Sequence, residues 1–335
     1  MVQFTSLFIA ALAAAPSLAH PGHDIAAEIA ERAEYRSSKE YRSLSHCADA
    51  IKARDHMMIK RRIEQVQHLQ AKRGLERRSL TDVLNKDHKS TKNVTPESSA
   101  ADIFGSNNSC ILQPETTEGP YYVTGELVRK DITDGQKGVP LTFDVQLIDT
   151  NTCKPVSNVA LEAWYCNSTG VYGGVNAGGN GNTNDKTNLD NPMLRGIQFS
   201  DTDGVLQFDG IFPGHYTGRT PHIHILAHQN ASTTVKSYGT VLTGGTISHV
   251  GQLFFDQSLI TSVEKTAPYN TNKQSLTTNA KDGILAGEAA TSDPVLNYVL
   301  LGSTVSDGVF GWATVGINTK LSKTVKAAAN YDPTD

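Results

Sequence analysis

The apolar positions of this chain change period near residue 110, and that change predicts two kinds of element. From Asp24 to about Arg78 the sequence is rich in Ala, Glu, Lys, Arg and Gln without an internal Pro, which predicts helix. Ile25, Ile29 and Ala33, then Ile59, Ile63, Val66 and Leu69, recur at helical spacing. Such helices are amphipathic and need a partner for their apolar face. Residues 79–109 are polar, with few large apolar side chains, and read as a linker. After it, Phe143, Val145 and Leu147 alternate with Thr142, Asp144 and Gln146, the period of a strand. Similar short runs follow at Val159 to Cys166, Val205 to Phe212, His222 to His228, Gln252 to Phe255 and Val309 to Ile317. Separated by Gly, Asn, Pro and Asp turns, they predict a mainly β protein: an antiparallel β-sandwich with an N-terminal helical extension. The Gly- and Asn-rich stretch from Gly173 to Pro192 is expected to be a mobile loop.

The N-terminus adds a further segment. Leu7 to Ala15 is an unbroken apolar run followed by Pro16 and Ser17-Leu18-Ala19, which resembles a signal-peptide core and cleavage site. The expected organisation is therefore a signal peptide over 1–19, a helical extension or propeptide over 20–78, the linker, and a β-sandwich domain over 110–335. Dibasic pairs at Arg61-Arg62, Lys72-Arg73 and Arg77-Arg78 keep propeptide processing open beside simple packing of a solvated helix on the main domain. Secretion agrees with the even cysteine count, for which pairing of Cys153 with Cys166 and Cys47 with Cys110 is expected. Acceptor sequons stand at Asn93, Asn107, Asn167 and Asn230.

Composition narrows the partner. Charged residues make up 19% and the formal net charge is −4, so the strongly basic surface of a nucleic-acid binder is absent. No later apolar stretch approaches the ~20 residues of a membrane span. Small-molecule chemistry remains.

The chemistry concentrates in Pro213-Gly214-His215-Tyr216-Thr217-Gly218-Arg219-Thr220-Pro221-His222-Ile223-His224. On a strand His222 and His224 project from one face while Ile223 points to the other, which suits two imidazoles on one metal. A His-x-His pair alone is more often structural, and where it ligates, zinc is a common guest. Tyrosines change the choice, because a phenolate is a hard anionic oxygen donor suited to a trivalent ion. A bound cation of high charge also removes the proton that tyrosine otherwise keeps.

These residues, together with Thr117-Glu118-Gly119-Pro120-Tyr121-Tyr122, Leu161-Glu162-Ala163-Trp164, Gly170-Val171-Tyr172, Leu194-Arg195-Gly196 and Thr202-Asp203-Gly204, resemble the intradiol ring-cleavage dioxygenases over about Thr117 to Asn318. The resemblance implies a non-haem Fe(III) site with Tyr172, Tyr216, His222 and His224 as metal ligands. It implies that Tyr216 leaves the metal and accepts a proton when a catechol-type substrate binds. Arg219 would stabilise charge on the aromatic ring during attack by O2, and the product would be a muconate-type dicarboxylate. Catechol, hydroxyquinol, protocatechuate and larger lignin-derived diols all fit, as does more than one oligomeric state. Two other readings compete: a zinc or copper enzyme built on His222 and His224, which leaves the tyrosines unexplained, and a non-catalytic secreted β-sandwich binding module.

Overall fold

The computed structural model describes residues 44–75, 109–111, 121–176, 180, 185–289, 292–322 and 327–334, with scattered positions between 26 and 37. The expected signal peptide, the Arg77-Arg78 pair, the linker up to 108 and positions 117–120 lie outside the described residues, as do the sequons at Asn93 and Asn107. Among the described residues no helix is long and apolar enough to cross a membrane.

Eleven strands are described: β1 (Ser109–Ile111), β2 (Val123–Thr124), β3 (Pro140–Asp149), β4 (Ala160–Trp164), β5 (Arg195–Phe199), β6 (Val205–Ile211), β7 (His222–Lys236), β8 (Gly239–Phe254), β9 (Asn297–Leu300), β10 (Val309–Ile317) and β11 (Ala329–Asn330). They form a five-stranded sheet ordered β1-β10-β3-β6, with β9 also on β10, and a four-stranded sheet ordered β5-β4-β7-β8; β11 and β2 make a small pair. The four-stranded sheet is antiparallel throughout. In the other sheet β10 runs parallel to β3 and to β1 and antiparallel to β9.

The core lies where the two sheets face each other. Phe143, Val145 and Leu147 from β3, Leu161 and Ala163 from β4, and Ile223, Ile225 and Ala227 from β7 all belong to it. Period-two alternation therefore sends Glu162, Trp164, His222, His224, Leu226 and His228 to the opposite face of the four-stranded sheet. That face is buried as well, against Tyr121, Tyr122, Val123 and Tyr172. Two buried faces explain why β4 and β7 carry so much aromatic and polar matter together.

The five-stranded sheet is covered by the helical extension. Its helices are α1 (Ala48–Lys52) and α2 (Asp55–Lys72), after a 3-10 turn at Ser45–Cys47. The expected stripe on α2 meets the sheet: Val66 and Leu69, with Ile59 and Ile63, pack against Val299, Phe310 and Trp312. Arg62 is buried beside them, its guanidinium 5.2 Å from the Trp312 ring centroid. Arg54 pairs with Asp203 at 2.7 Å and Arg61 with Asp201 at 2.6 Å.

The cysteine pairing differs from the expectation. Cys47 is bonded to Cys153, 106 residues away in sequence, and Cys166 is a free, buried thiol. The Cys153 N–H bonds the Asp149 carbonyl at the end of β3, whereas Cys166 bonds Gly214, just past Phe212, whose N–H bonds Val139 at the start of β3, so the length of β3 separates the two cysteines. A disulfide tolerates only about 4.4–6.8 Å between Cα atoms, so the local pair is geometrically excluded. Cys166 instead donates to the Gly214 carbonyl at 3.4 Å. Cys110 lies in β1 with its side chain outside the described residues.

Candidate metal centre

Three local structures bring the four expected ligands together. Tyr172 follows β4 in a turn organised by Asn167, whose Oδ1 accepts from the N–H groups of Thr169 and Val171 at 3.0 and 3.1 Å. Gly170 in that turn has φ +82°, and a Cβ there would stand 2.2 Å from the His215 carbonyl oxygen, so the close crossing of the two ligand-bearing loops requires glycine. Tyr216 sits in the loop after β6, and His222 and His224 open β7. All four side chains are buried.

Their donor atoms converge. Tyr172 Oη lies 3.5 Å from His222 Nε2 and 3.3 Å from His224 Nε2. Tyr216 Oη is 3.2 Å from His222 Nε2, and the two Nε2 atoms are 3.1 Å apart. His222 Nδ1 lies 2.6 Å from the Thr220 carbonyl oxygen. A carbonyl only accepts, so the proton is on Nδ1 and the Nε2 lone pair points into the cluster. The His224 ring is stacked on Trp164 at 4.9 Å and 7° between planes, which fixes its orientation. Burial pushes both tyrosine pKa values well above the usual phenol range, and each tyrosine's neighbourhood adds a second phenol or thiol to the same effect. A cation is what would make them anionic here.

The residues fit a metal ion. Separations of 3.1–3.5 Å between donor atoms match those around a first-row ion with bonds of about 2 Å. Two phenol oxygens with two imidazole nitrogens, and no carboxylate or thiolate among them, favour a hard trivalent ion.

Arg219 stands beside the ligands and is held from two sides. Its Nε donates to Asp282 Oδ2 at 2.8 Å, and its Nη2 donates to Gln252 Oε1. Gln252 lies opposite His224 in the β7–β8 register, so this contact locates the guanidinium relative to the ligand strand. Asp282 also accepts from Thr220 N–H at 2.9 Å and from the Ile284 and Leu285 N–H groups at the start of helix α4 (Gly283–Ala289), which follows α3 (Gln257–Val263). Burial opposes the Asp282 charge, yet Arg219 and these N–H donors hold its carboxyl below the usual range.

The structure brings together the four candidate ligands and Arg219 that the sequence singled out, while the groups that hold them were not anticipated. Asn180 Oδ1 accepts from Tyr172 N–H at 2.7 Å, and the amides of Asn180 and Asn188 both donate to the Tyr172 carbonyl at 2.8 Å. The Gly/Asn stretch expected to be mobile is thus, in its described residues, a brace on the Tyr172 backbone. Its asparagines were read as loop formers when they are the anchor. Arg195 donates to the Gly173 carbonyl at 2.7 Å and to the Tyr121 carbonyl at 2.6 Å. Tyr121 and Tyr122 are buried; the Tyr121 ring lies 4.7 Å from that of Tyr172.

Comparison with known proteins adds a second line. The family model described as Dioxygenase matches residues 117–281. Among solved structures, an intradiol ring-cleavage dioxygenase from Tetranychus urticae is 29% identical with a TM-score of 0.52, over 64% of this chain and 98% of that one. A crystal structure of another dioxygenase is 28% identical with a TM-score of 0.51, over 66% of this chain and 98% of that one. Catechol 1,2-dioxygenase from Acinetobacter is 16% identical with a TM-score of 0.40, over 68% and 71% of the two chains. No curated protein matches the chain.

Proposed function

We propose, for a chain that belongs to the intradiol ring-cleavage dioxygenases, that it is a secreted Fe(III) enzyme with Tyr172, Tyr216, His222 and His224 as ligands, cleaving catechol-type diols between their hydroxylated carbons. The observation that carries this reading is the convergence of two phenol oxygens and two imidazole nitrogens within 3.1–3.5 Å, with the His222 tautomer set by Thr220. Ferric iron bound there would draw electron density from a chelated catecholate and so open its ring to O2.

The protein's own groups do the rest. Tyr216, whose Oη lies 3.2 Å from His222 Nε2, would be the phenolate that yields to substrate and takes its proton, as the resemblance to the intradiol dioxygenases implies. Arg219 is a permanent cation buried beside the ligands, suited to stabilising negative charge as it develops on the ring. Asp282 and Gln252 keep it from rotating away. Both atoms of O2 end in a muconate-type dicarboxylate. The Cys47–Cys153 disulfide supports an oxidising compartment and hence secretion.

The test is direct. Protein purified with iron should be red to burgundy from tyrosinate-to-Fe(III) charge transfer, consume O2 with a panel of catechols, and give a dicarboxylate cleaved between the hydroxyls. A colourless, active zinc protein, or cleavage outside the two hydroxyls, overturns the proposal.

A further inference from the structure

Between α3 and α4 the chain runs as a strap along the loops that carry Tyr172 and Tyr216. Its root is tied to the core by Tyr269, whose buried hydroxyl donates to the Phe212 carbonyl at 2.6 Å and accepts from the Val139 N–H at 3.2 Å. Its far end is tied by Asn279. The N–H of that residue donates to Gln257 Oε1 and its side-chain amide to the Phe255 carbonyl, both at 2.8 Å. The span between is held at both ends and forms a fixed frame.

The middle of the strap grips the Tyr216 loop on both sides of the ligand. Asn272 Nδ2 donates to the His215 carbonyl at 2.7 Å, and His215 Nε2 donates to the Gln274 carbonyl at 2.9 Å. On the other side, the Thr217 N–H donates to Gln274 Oε1 at 3.3 Å and the Gly218 N–H to Thr277 Oγ1 at 3.0 Å. The residues flanking Tyr216 are thus pinned through their own groups, independently of the contacts its phenol makes.

Gln274 also reaches the other ligand loop. Its Nε2 donates to the Thr169 carbonyl at 3.2 Å. Thr169 lies in the Asn167 turn that delivers Tyr172, and a Cβ on Gly170 would collide with Gln274 Nε2 as well as with the His215 carbonyl. A carbonyl accepts and a backbone N–H donates, so the amide can point only one way: nitrogen to the Tyr172 turn, oxygen to the Tyr216 loop. One half-buried side chain therefore couples the two phenol-bearing loops.

We propose that Gln274 is a positioning residue that fixes the Tyr216 backbone against the Tyr172 turn, so that Tyr216 meets and leaves the metal by side-chain rotation while its loop stays still. The inference rests on the reading of Tyr172 and Tyr216 as metal ligands. A loop fixed on both sides of Tyr216 returns the phenol oxygen to one place, which lowers the entropy lost each time the bond to the metal re-forms. Without the amide bridge the oxygen samples a wider region and spends less time on the metal.

Gln274→Ala in the full chain tests this with two readouts. In metal-free protein, hydrogen exchange followed by mass spectrometry should show the peptide spanning Thr217 exchanging about tenfold faster, because the acceptor of that N–H is gone. In iron-loaded protein the tyrosinate-to-Fe(III) band should lose intensity. The same substitution made in Tyr216→Phe should change the band little, since the phenolate it positions is already absent. Gln274→Glu keeps the acceptor for Thr217 and removes the donor to Thr169; it should leave Thr217 protected yet weaken the band, and it covers the case in which Gln274→Ala fails to fold. Unchanged exchange in Gln274→Ala overturns the clamp, whatever the metal does. A wild-type band in Gln274→Ala or Gln274→Glu, or an equal loss in the Tyr216→Phe background, overturns its action through Tyr216. A wild-type protein that stays colourless with iron would bring down the ligand reading itself, and this inference with it.

Discussion

Arg219 and Asp282 form an ion pair, Nε to Oδ2 at 2.8 Å, in which neither side chain reaches solvent. Removing one partner of a buried pair typically costs about 3–5 kcal/mol, because the other charge is left uncompensated. Asp282→Ala should therefore lower stability by that order and Asp282→Asn by less, measured by urea unfolding. The sign with pH follows from the depressed folded pKa of Asp282. Its stabilisation is present above the unfolded value and is lost as pH falls through the folded one. The gap between wild type and Asp282→Asn should thus narrow below about pH 4.

Arg219→Leu separates charge stabilisation from metal binding. The variant should keep iron and colour while losing turnover about a hundredfold or more, the scale of a lost oxyanion donor. It should also be less stable, since Asp282 then remains buried alone. Loss of iron in a folded Arg219→Leu protein would make the arginine structural instead.

Among the ligands, His222→Ala and His224→Ala should each abolish tight iron retention, read by metal analysis after dialysis. Tyr216→Phe should retain some iron with a shifted visible band. Thr220 cannot be tested by removing its carbonyl, but Asn188→Ala reaches the same question for Tyr172. That change deletes two buried hydrogen bonds to the Tyr172 and Val175 carbonyls. A weakened and broadened charge-transfer band is expected; an unchanged spectrum would show that Asn180 alone holds the loop.

The helical cap makes a covalent prediction. In peptide maps of unreduced protein Cys47 should be found linked to Cys153, with Cys166 alkylated only after denaturation. Burial pushes the Cys166 thiol up to about 12, so it is poorly nucleophilic in the folded state. Leu69→Ala on α2 should cost about 2–5 kcal/mol because its side chain is buried against the sheet.

The two described sequons differ in what their amides do. Asn230 is exposed on the β7–β8 hairpin. Asn167 donates to Gln136 and Met193, and its Oδ1 organises the Tyr172 turn. Material from a secretory host should carry glycan at Asn230 and not at Asn167; mass spectrometry finding the reverse would contradict this geometry.

How much of this was legible in the sequence depended on range. Alternation over β3, β4 and β7 revealed which residues face the core, because strand period is a local property. The candidate ligands could be singled out because Tyr216, Arg219, His222 and His224 are neighbours and Tyr172 follows a recognisable strand. Asp282 was not, since nothing near it in sequence points to Arg219. The long outer half of the β7–β8 hairpin was missed because its Thr, Ser and Gly positions show no apolar alternation. Cys47–Cys153 was missed because the turn that carries Cys47 is placed by packing of Leu44, Cys47 and Ile51 on Ile148, far along the chain.

That hairpin offers a practical handle. Strand β7 begins with His222 and His224 and, past an irregularity at Ala227/His228, continues to Lys236, so Val235, 81% exposed, lies at most roughly 35 Å along the strand from His224. A cysteine, dye or surface linker placed at Val235 would sit on the same strand as His222 and His224 yet remote from them. The same hairpin could then orient immobilised molecules, with the candidate metal centre at the opposite end from the attachment point.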